Sequence, residues 1–244
     1  MIGLQCVILA GGLGTRVRHL ARELPKALIP INGTPFADLQ LQWLREQGVA
    51  EVVYCVGHKS DAIRNFVGDG SGWSVHVTYV EDGPRLLGTA GALRHGLDLG
   101  VIREPFITLY GDAFLPVPYP PVVAAFDRSG LPALMTVFRN EDAWGPSNVV
   151  FAGDRVQLHD KRPEAKRPDM RYIDYGLSVL TAGPIEGMVA AGEVADLSDV
   201  FRELSLRGLL AGYEVDRRFY EVGSAAGIRD LEGYLRRTAP APPL

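Results

Sequence analysis

The chain has 244 residues, 47% of them apolar, with 25 basic and 29 acidic side chains for a net charge of −4. That size fits one compact α/β unit with room for insertions, and the mildly acidic balance excludes nucleic-acid binding through overall charge, so any phosphate binding must be local. No run approaches the ~18 to 20 uninterrupted apolar residues of a membrane span, which predicts a soluble chain without membrane contact.

Short apolar or β-branched runs alternate with helical segments, the pattern of a largely parallel sheet with crossover helices. Strands are predicted at 5–10, 52–56, 75–80 and 106–110, with helices at 36–47, 60–67 and 89–99 between them. Gly48 is placed to stop the first of these helices. Beyond residue 115 the runs at 134–138, 148–151, 155–159 and 172–180 are separated by turn residues, and Ala152-Gly153-Asp154 reads as a hairpin loop. Mixed or antiparallel strands are therefore expected there. A helix at 197–206, a strand at 213–222 and a helix at 225–237 follow, and the proline-rich tail 239–244 is expected to fray. No internal repeat or linker forces two domains. Residues 1–238 are expected to form one domain, with a first half at 1–115 and a second at 116–238.

Cys6 and Cys55 both lie inside apolar runs, without a CxxC or Cys/His cluster. They read as buried, reduced thiols of a cytoplasmic protein. The apolar N-terminus lacks a basic region and runs straight into a glycine turn, so it reads as a first strand rather than a targeting segment.

The 28 glycines exceed the usual share of roughly 7%, and the most informative group follows the first strand: Gly11-Gly12-Leu13-Gly14-Thr15-Arg16. Glycines after a parallel strand let successive backbone N–H groups converge on an anion. Arg16 adds a bidentate donor for phosphate oxygens. A dinucleotide GxGxxG fails because Val17 stands where the third glycine belongs, and no Gly-Lys pair exists for a Walker A loop. A plain tight turn is the other reading. Against it stands Lys26, between Pro25 and Pro30, where the prolines predict a stiff extended path that carries the ammonium back toward the glycine loop.

These residues resemble the sugar-1-phosphate nucleotidyltransferases: the Gly11 to Arg16 loop with Pro25-Lys26, then Leu87-Gly88-Thr89-Ala90-Gly91, Gly111-Asp112 and Glu221-Val222-Gly223-Ser224. Within that family the chain is most similar to short heptose- and mannose-1-phosphate guanylyltransferases, and next to short uridylyltransferases of cell-wall recycling. The resemblance implies a Rossmann-like mixed, mostly parallel α/β sheet with crossover helices and an antiparallel sugar-binding insertion. It also implies attack of a sugar 1-phosphate on the α-phosphorus of a nucleoside triphosphate, with pyrophosphate leaving. The nucleophile is already anionic, so the reaction needs charge neutralisation and in-line alignment rather than a general base. Positive groups and Mg²⁺ are the expected means.

On this reading Arg16 and Lys26 are catalytic, and Leu9, Ala10, Gly11, Gly12, Gly14, Thr15, Gly88, Thr89, Ala90 and Gly91 bind the nucleotide. Asp112, at the C-terminal end of a predicted strand, and Glu221 hold Mg²⁺. Glu221 departs from the aspartate usual in the family. Asp160-Lys161-Arg162-Pro163 resembles the family's Glu-Lys-Pro with an inserted arginine, and Asp174-Tyr175-Gly176 stands where Asn-Ala-Gly is usual. Lys161, Asp174 and Gly176 are thus the expected sugar-phosphate contacts. Guanine is the expected base, with uracil or thymine as the alternative. A non-catalytic nucleotide-sugar sensor and a dinucleotide oxidoreductase are the readings from other classes, and a homodimer through the second-half strands is the assembly considered. The five histidines are scattered and read as solvated or core residues. Trp43, Trp73 and Trp144 read as packing groups, with the Trp144-Gly145-Pro146 loop able to line the acceptor pocket.

Overall fold

The computed structural model describes residues 2–12 and 24–238. In chain order the strands are β1 (Gln5–Leu9), β2 (Pro30–Ile31), β3 (Thr34–Pro35), β4 (Glu51–Val56), β5 (His76–Glu81), β6 (Phe106–Tyr110), β7 (Ala113–Phe114), β8 (Ala133–Arg139), β9 (Val149–Ala152), β10 (Arg155–His159), β11 (Tyr172–Leu180), β12 (Leu210–Val215) and β13 (Tyr220–Glu221). The helices are α1 (Phe36–Glu46), α2 (Ser60–Val67), α3 (Gly88–Asp98), α4 (Tyr119–Ser129), α5 (Ala182–Met188), α6 (Leu197–Leu206) and α7 (Ala225–Thr238).

Among the described residues, nine strands form one sheet in the order β5-β4-β1-β6-β11-β8-β12-β10-β9. Pairing is parallel from β5 through β6 and again between β8 and β12. It is antiparallel at β6–β11, β11–β8, β12–β10 and β10–β9, so the sheet is mixed, with its antiparallel part in the second half. Strand β11 lies directly against β6 and makes the sheet continuous between the two halves.

The central strands are buried on both faces, which is why they read as unbroken apolar runs. Alternation divides them between two cores: Cys6, Ile8, Val52 and Tyr54 pack with Leu41 and Leu44 of α1, Ile63 of α2 and Phe126 of α4. Val7, Leu9, Val53 and Cys55 pack with Leu93 of α3, Ile185 of α5 and Phe201 and Leu204 of α6. Both cysteines are free and buried. A third cluster joins Ile29, Ile31, Phe36, Phe114, Tyr220, Val222 and Leu231, fixing α7 over the short β2–β3 and β7–β13 ribbons. No helix among the described residues is long and apolar enough to cross a membrane.

Three expectations change. The strand expected at 213–222 is two elements: β12 ends at Val215 inside the sheet, and the chain returns as β13 to pair with β7. Lys26 does not lie on a fully extended path; Pro25 is extended, but Lys26–Leu28 is one 3-10 turn. That turn pairs the Leu28 and Ile29 N–H groups with Pro25 O and Lys26 O while Ala27 is buried. Helices α4 and α5 were not expected. Pro120 and Pro121 open α4, where the missing N–H groups cost no intrahelical bond, and α5 is a seven-residue segment too short for a clear period. The proline-rich tail lies outside the described residues.

Candidate active site

Strand β1 has β4 on one side and β6 on the other, so the order reverses beside it; ligand crevices of open α/β sheets lie at the carboxyl ends of strands at such a point. A cavity of about 250 Å³ lies there, lined by Leu9 at the end of β1 with Ala10, Gly11 and Gly12 after it, Asp82 after β5, Gly88 and Thr89 of α3, and Tyr110 at the end of β6 with Gly111 and Asp112 after it. Gly111 donates to Leu9 O at 2.9 Å. A Cβ at Gly111 would sit 2.8 Å from the Ala10 Cβ and 3.0 Å from its Cα, so this crossing of the two loops requires glycine.

A second cavity of about 1010 Å³ shares Tyr110 and Asp112 with the first. Its other walls include Trp144, Lys161, Lys166, Asp174, Gly176 and Glu221. Lys26 lines the smaller cavity and reaches the shared Asp112, its Nζ 2.6 Å from Asp112 Oδ2. Both side chains are about three-quarters buried, at 21% and 28% exposure, which makes this pair less screened than a surface salt bridge. Gln40 of α1, itself buried, steadies the loop carrying Asp112 by donating to Tyr110 O at 3.3 Å and Ala113 O at 3.1 Å.

Glu221 reaches the same place from β13. It accepts from Gly223 N and, at 2.5 Å, from the Ser224 hydroxyl, which in turn caps α7 by accepting from Gly227 N. A Cβ at Gly223 would overlap Glu221 Oε2 and lie 3.4 Å from both Asp112 Oδ2 and Lys26 Nζ, so the two carboxylates and the ammonium border one point. Among the described residues no three His, Cys, Asp or Glu side chains gather as a ready-made metal cage. The two carboxylates Asp112 and Glu221, bordering one point, nevertheless fit Mg²⁺, which commonly takes one or two carboxylates plus substrate phosphates.

Not all the expected nucleotide contacts face the cavity. Ala90 and Gly91 lie behind its wall, where their N–H groups donate to Ala195 O at 2.9 and 3.3 Å, and a Cβ at Gly91 would overlap Glu193 O. Thr89 lines the cavity, but its hydroxyl also accepts from Leu197 N at 2.7 Å, tying the start of α3 to the start of α6. Gly14, Thr15 and Arg16 lie outside the described residues.

In the larger cavity Lys161 Nζ lies 3.2 Å from the buried Asp174 Oδ2 and 5.4 Å from the centroid of the Tyr110 ring. Burial works against the Lys161 charge, but the Asp174 carboxylate outweighs it and holds the ammonium above its usual range. Asp174 Oδ1 accepts from Gly176 N at 3.0 Å, and Gly176 has φ +99° at the irregularity between β11 and β8. The inserted Arg162 folds back on Asp160, donating Nε to Oδ1 at 2.9 Å and Nη2 to Oδ2 at 2.7 Å, with Arg202 on Oδ2 at 3.0 Å. These arginine bonds, Arg162 first, hold the Asp160 carboxyl well below the usual range although its burial opposes them.

Among the lining residues that escaped the sequence reading are Asp82, Asp142, Ser147 and Lys166. Asp82 is buried in the smaller cavity, where Oδ2 accepts from Leu87 N at 3.2 Å and Oδ1 has no hydrogen-bond partner. Burial pushes its carboxyl up. Asp142, Ser147 and Lys166 brace the loop before β9: Asp142 Oδ1 accepts from Ser147 N and Lys166 Nζ, both at 2.6 Å, and Lys166 also donates to Ser147 O at 2.9 Å. Consecutive left-handed residues, Glu141 (φ +46°) and Asp142 (φ +63°), mark this segment, and no sequence motif announces them.

A family model described as nucleotidyl transferase matches residues 5–147. The chain is 31% identical over 221 residues to a low-salt glycan biosynthesis nucleotidyltransferase of Haloferax volcanii, covering 88% of this chain and 60% of the relative. It is 33% identical over 115 residues to a D-glycero-alpha-D-manno-heptose 1-phosphate guanylyltransferase of Campylobacter jejuni, covering 47% and 50%. The chain thus spans between half and three-fifths of these relatives' length. In fold it is similar to a crystal structure of HddC from Yersinia pseudotuberculosis complexed with GMP-PN, with a TM-score of 0.77, 20% identity and coverage of 95% and 99%.

Proposed function

We propose that this chain, which belongs to the nucleotidyl transferase family, transfers a nucleotidyl group from a nucleoside triphosphate to a sugar 1-phosphate and releases pyrophosphate. The observation that carries this reading is the pairing of Lys26 with Asp112, the carboxylate that lines both cavities. The smaller cavity is the nucleotide side and the larger one the sugar side. The acceptor phosphate oxygen and the α-phosphorus must meet between them, the new P–O bond forming as the bond to pyrophosphate breaks.

In this reading the Gly11 and Gly12 backbone receives phosphate oxygens, with Gly14, Thr15 and Arg16 continuing that loop. Lys26 neutralises the charge that gathers as a sugar-phosphate oxygen approaches the α-phosphorus, a role for a preorganised cation rather than a base. Asp112 and Glu221 would hold Mg²⁺, which when bound supplies charge neutralisation and orients the triphosphate. Lys161, held charged by Asp174, receives the acceptor phosphate, and Asp174 and Gly176 border the sugar.

Guanine is the base this reading favours. Asp82 presents only acceptors when ionised, and guanine offers two adjacent donors, N1–H and N2–H, where uracil and thymine offer one; the Campylobacter relative is named a guanylyltransferase. Heptose or mannose 1-phosphate is the acceptor favoured, by the same resemblance.

Purified protein with Mg²⁺ is expected to release pyrophosphate when GTP, UTP, dTTP, CTP and ATP are tested against mannose, heptose, glucose and N-acetylmuramic acid 1-phosphates. GTP should be preferred. Turnover with another base would overturn the guanine assignment alone, while no pyrophosphate from any pair would favour a nucleotide-sugar sensor.

A further inference from the structure

The loop between β8 and β9 holds an aromatic ring in the larger cavity by an unusually complete set of internal bonds. Trp144 N donates to Asn140 Oδ1 at 3.0 Å, and Asn140 Nδ2 donates to Gly145 O at 2.8 Å and Ser147 Oγ at 3.0 Å. The Asp142–Ser147–Lys166 bonds close the same loop from the other side. The loop adopts left-handed backbone at two residues that are not glycine, a conformation that persists only where surrounding contacts over-determine it, as at ligand clamps.

What this loop presents is the Trp144 indole, which is 45% exposed and lines the cavity. One face is already covered: the Arg218 guanidinium lies 3.5 Å from the ring centroid. Arg218 is in turn 4.6 Å from the Tyr220 centroid and donates to Asp230 Oδ2 at 3.1 Å, and Tyr220 stacks on Tyr234 of α7 at 4.6 Å. The indole is therefore backed by a cation and two further rings while it remains half-exposed and lines the space proposed for the acceptor. A core tryptophan would be buried, and a stray surface tryptophan would not be held by a braced loop on one side and an arginine stack on the other.

We propose that Trp144 is a stacking platform for the acceptor, receiving the apolar C–H face of a pyranose ring while Lys161 takes its phosphate. This rests on the reading of the larger cavity as the sugar side. A pyranose has hydroxyls at its rim and C–H groups on its faces, so a flat apolar surface selects ring orientation while the rim reaches polar groups such as Asp174. Arg218 acts as a positioning residue, since its guanidinium fixes the plane of the indole.

The test combines steady-state kinetics with tryptophan fluorescence in Mg²⁺ buffer, using mannose, heptose, glucose and N-acetylmuramic acid 1-phosphates with and without a non-hydrolysable GTP analogue. Trp144→Ala is expected to raise KM for the sugar 1-phosphate at least ~10-fold, the scale of one lost buried contact, with KM for the nucleotide changed less than ~3-fold. Trp144→Phe should keep most of the sugar affinity, and Trp144→Leu should not. Native emission should change on adding a sugar 1-phosphate, and in Trp144→Phe that change should vanish. Arg218→Met should raise the sugar KM in the native background and add nothing to Trp144→Ala. Equal KM in Trp144→Ala and native protein, or native emission unaltered by all four sugar phosphates, would overturn the platform. An emission change without pyrophosphate release would leave the platform standing and overturn nucleotidyl transfer instead.

Discussion

Lys26 and Asp112 are 86 positions apart, yet their side chains meet at 2.6 Å on the wall between two cavities. Removing either leaves the other charge without its counterpart at the place proposed for the reacting phosphates. Lys26→Ala and Asp112→Ala are each expected to lower turnover at least ~10²-fold, the scale of losing one preorganised charge contact, with thermal midpoints close to native. Pyrophosphate release at saturating substrates measures this, and turnover within ~3-fold of native in either variant would remove that residue from the proposed chemistry. Lys26 was legible in the sequence because Pro25 and Pro30 mark it out. Asp82 and Lys166 were not: each is a single charged residue in an ordinary context, and only the fold turns one into a buried carboxylate and the other into a brace.

At the scale of elements, the glycines of α3 show how one motif serves two purposes. Gly88 lines the smaller cavity and also abuts the chain before α6, where a methyl group would overlap Ala195 O, whereas Gly91 serves only that packing, a methyl group there overlapping Glu193 O. Gly91→Ala should therefore destabilise the protein by roughly 1–3 kcal/mol, the usual cost of overpacking against backbone. Gly187 in α5 has nothing within 4 Å of a would-be Cβ. Gly187→Ala should instead stabilise by about 0.5–1 kcal/mol through the conformational entropy of the unfolded chain. Urea unfolding midpoints decide both signs, and equal midpoints for the two variants would contradict this reading of α3. Element type was readable where a long period exists, as in α1 and α6. The β7–β13 ribbon was not readable, because two-residue strands have no period and exist only through their pairing.

The whole molecule carries a pH dependence in His159, at the end of β10. The ring is fully buried, its centroid 6.0 Å from that of Phe201, and neither ring nitrogen has a hydrogen-bond partner. Burial lowers its pKa from 6.5 to about 4 although the nearby Asp174 opposes the shift. Between those values the unfolded chain binds a proton that the folded protein refuses, so stability falls as pH drops from about 6.5 toward 4. At roughly 1.4 kcal/mol per pKa unit this amounts to about 3 kcal/mol. Urea midpoints at pH 7 and pH 4.5 should differ more in native protein than in His159→Phe, and the same difference in both would exclude His159 as the cause.

The sequence by itself determined the alternation of strands and helices, because strands buried on both faces must be apolar throughout and amphipathic helices must keep their period. It also determined where phosphate binding is to be expected, since glycines after β1 and a proline-flanked lysine stand out against a mildly acidic background. The family resemblance grouped Lys26, Asp112 and Glu221 by motif, but only the tertiary structure decided how they meet and which further residues, such as Asp82 and Lys166, line the same cavities. Lys26, Asp112 and Glu221 converge because β6 lies against β1 and β13 returns to pair with β7, and local sequence carries no record of which distant edge a strand will meet. The same holds for the indole of Trp144. A lone tryptophan after β8 becomes a candidate platform only because Arg218, 74 positions further on (218 − 144), folds back over one of its faces.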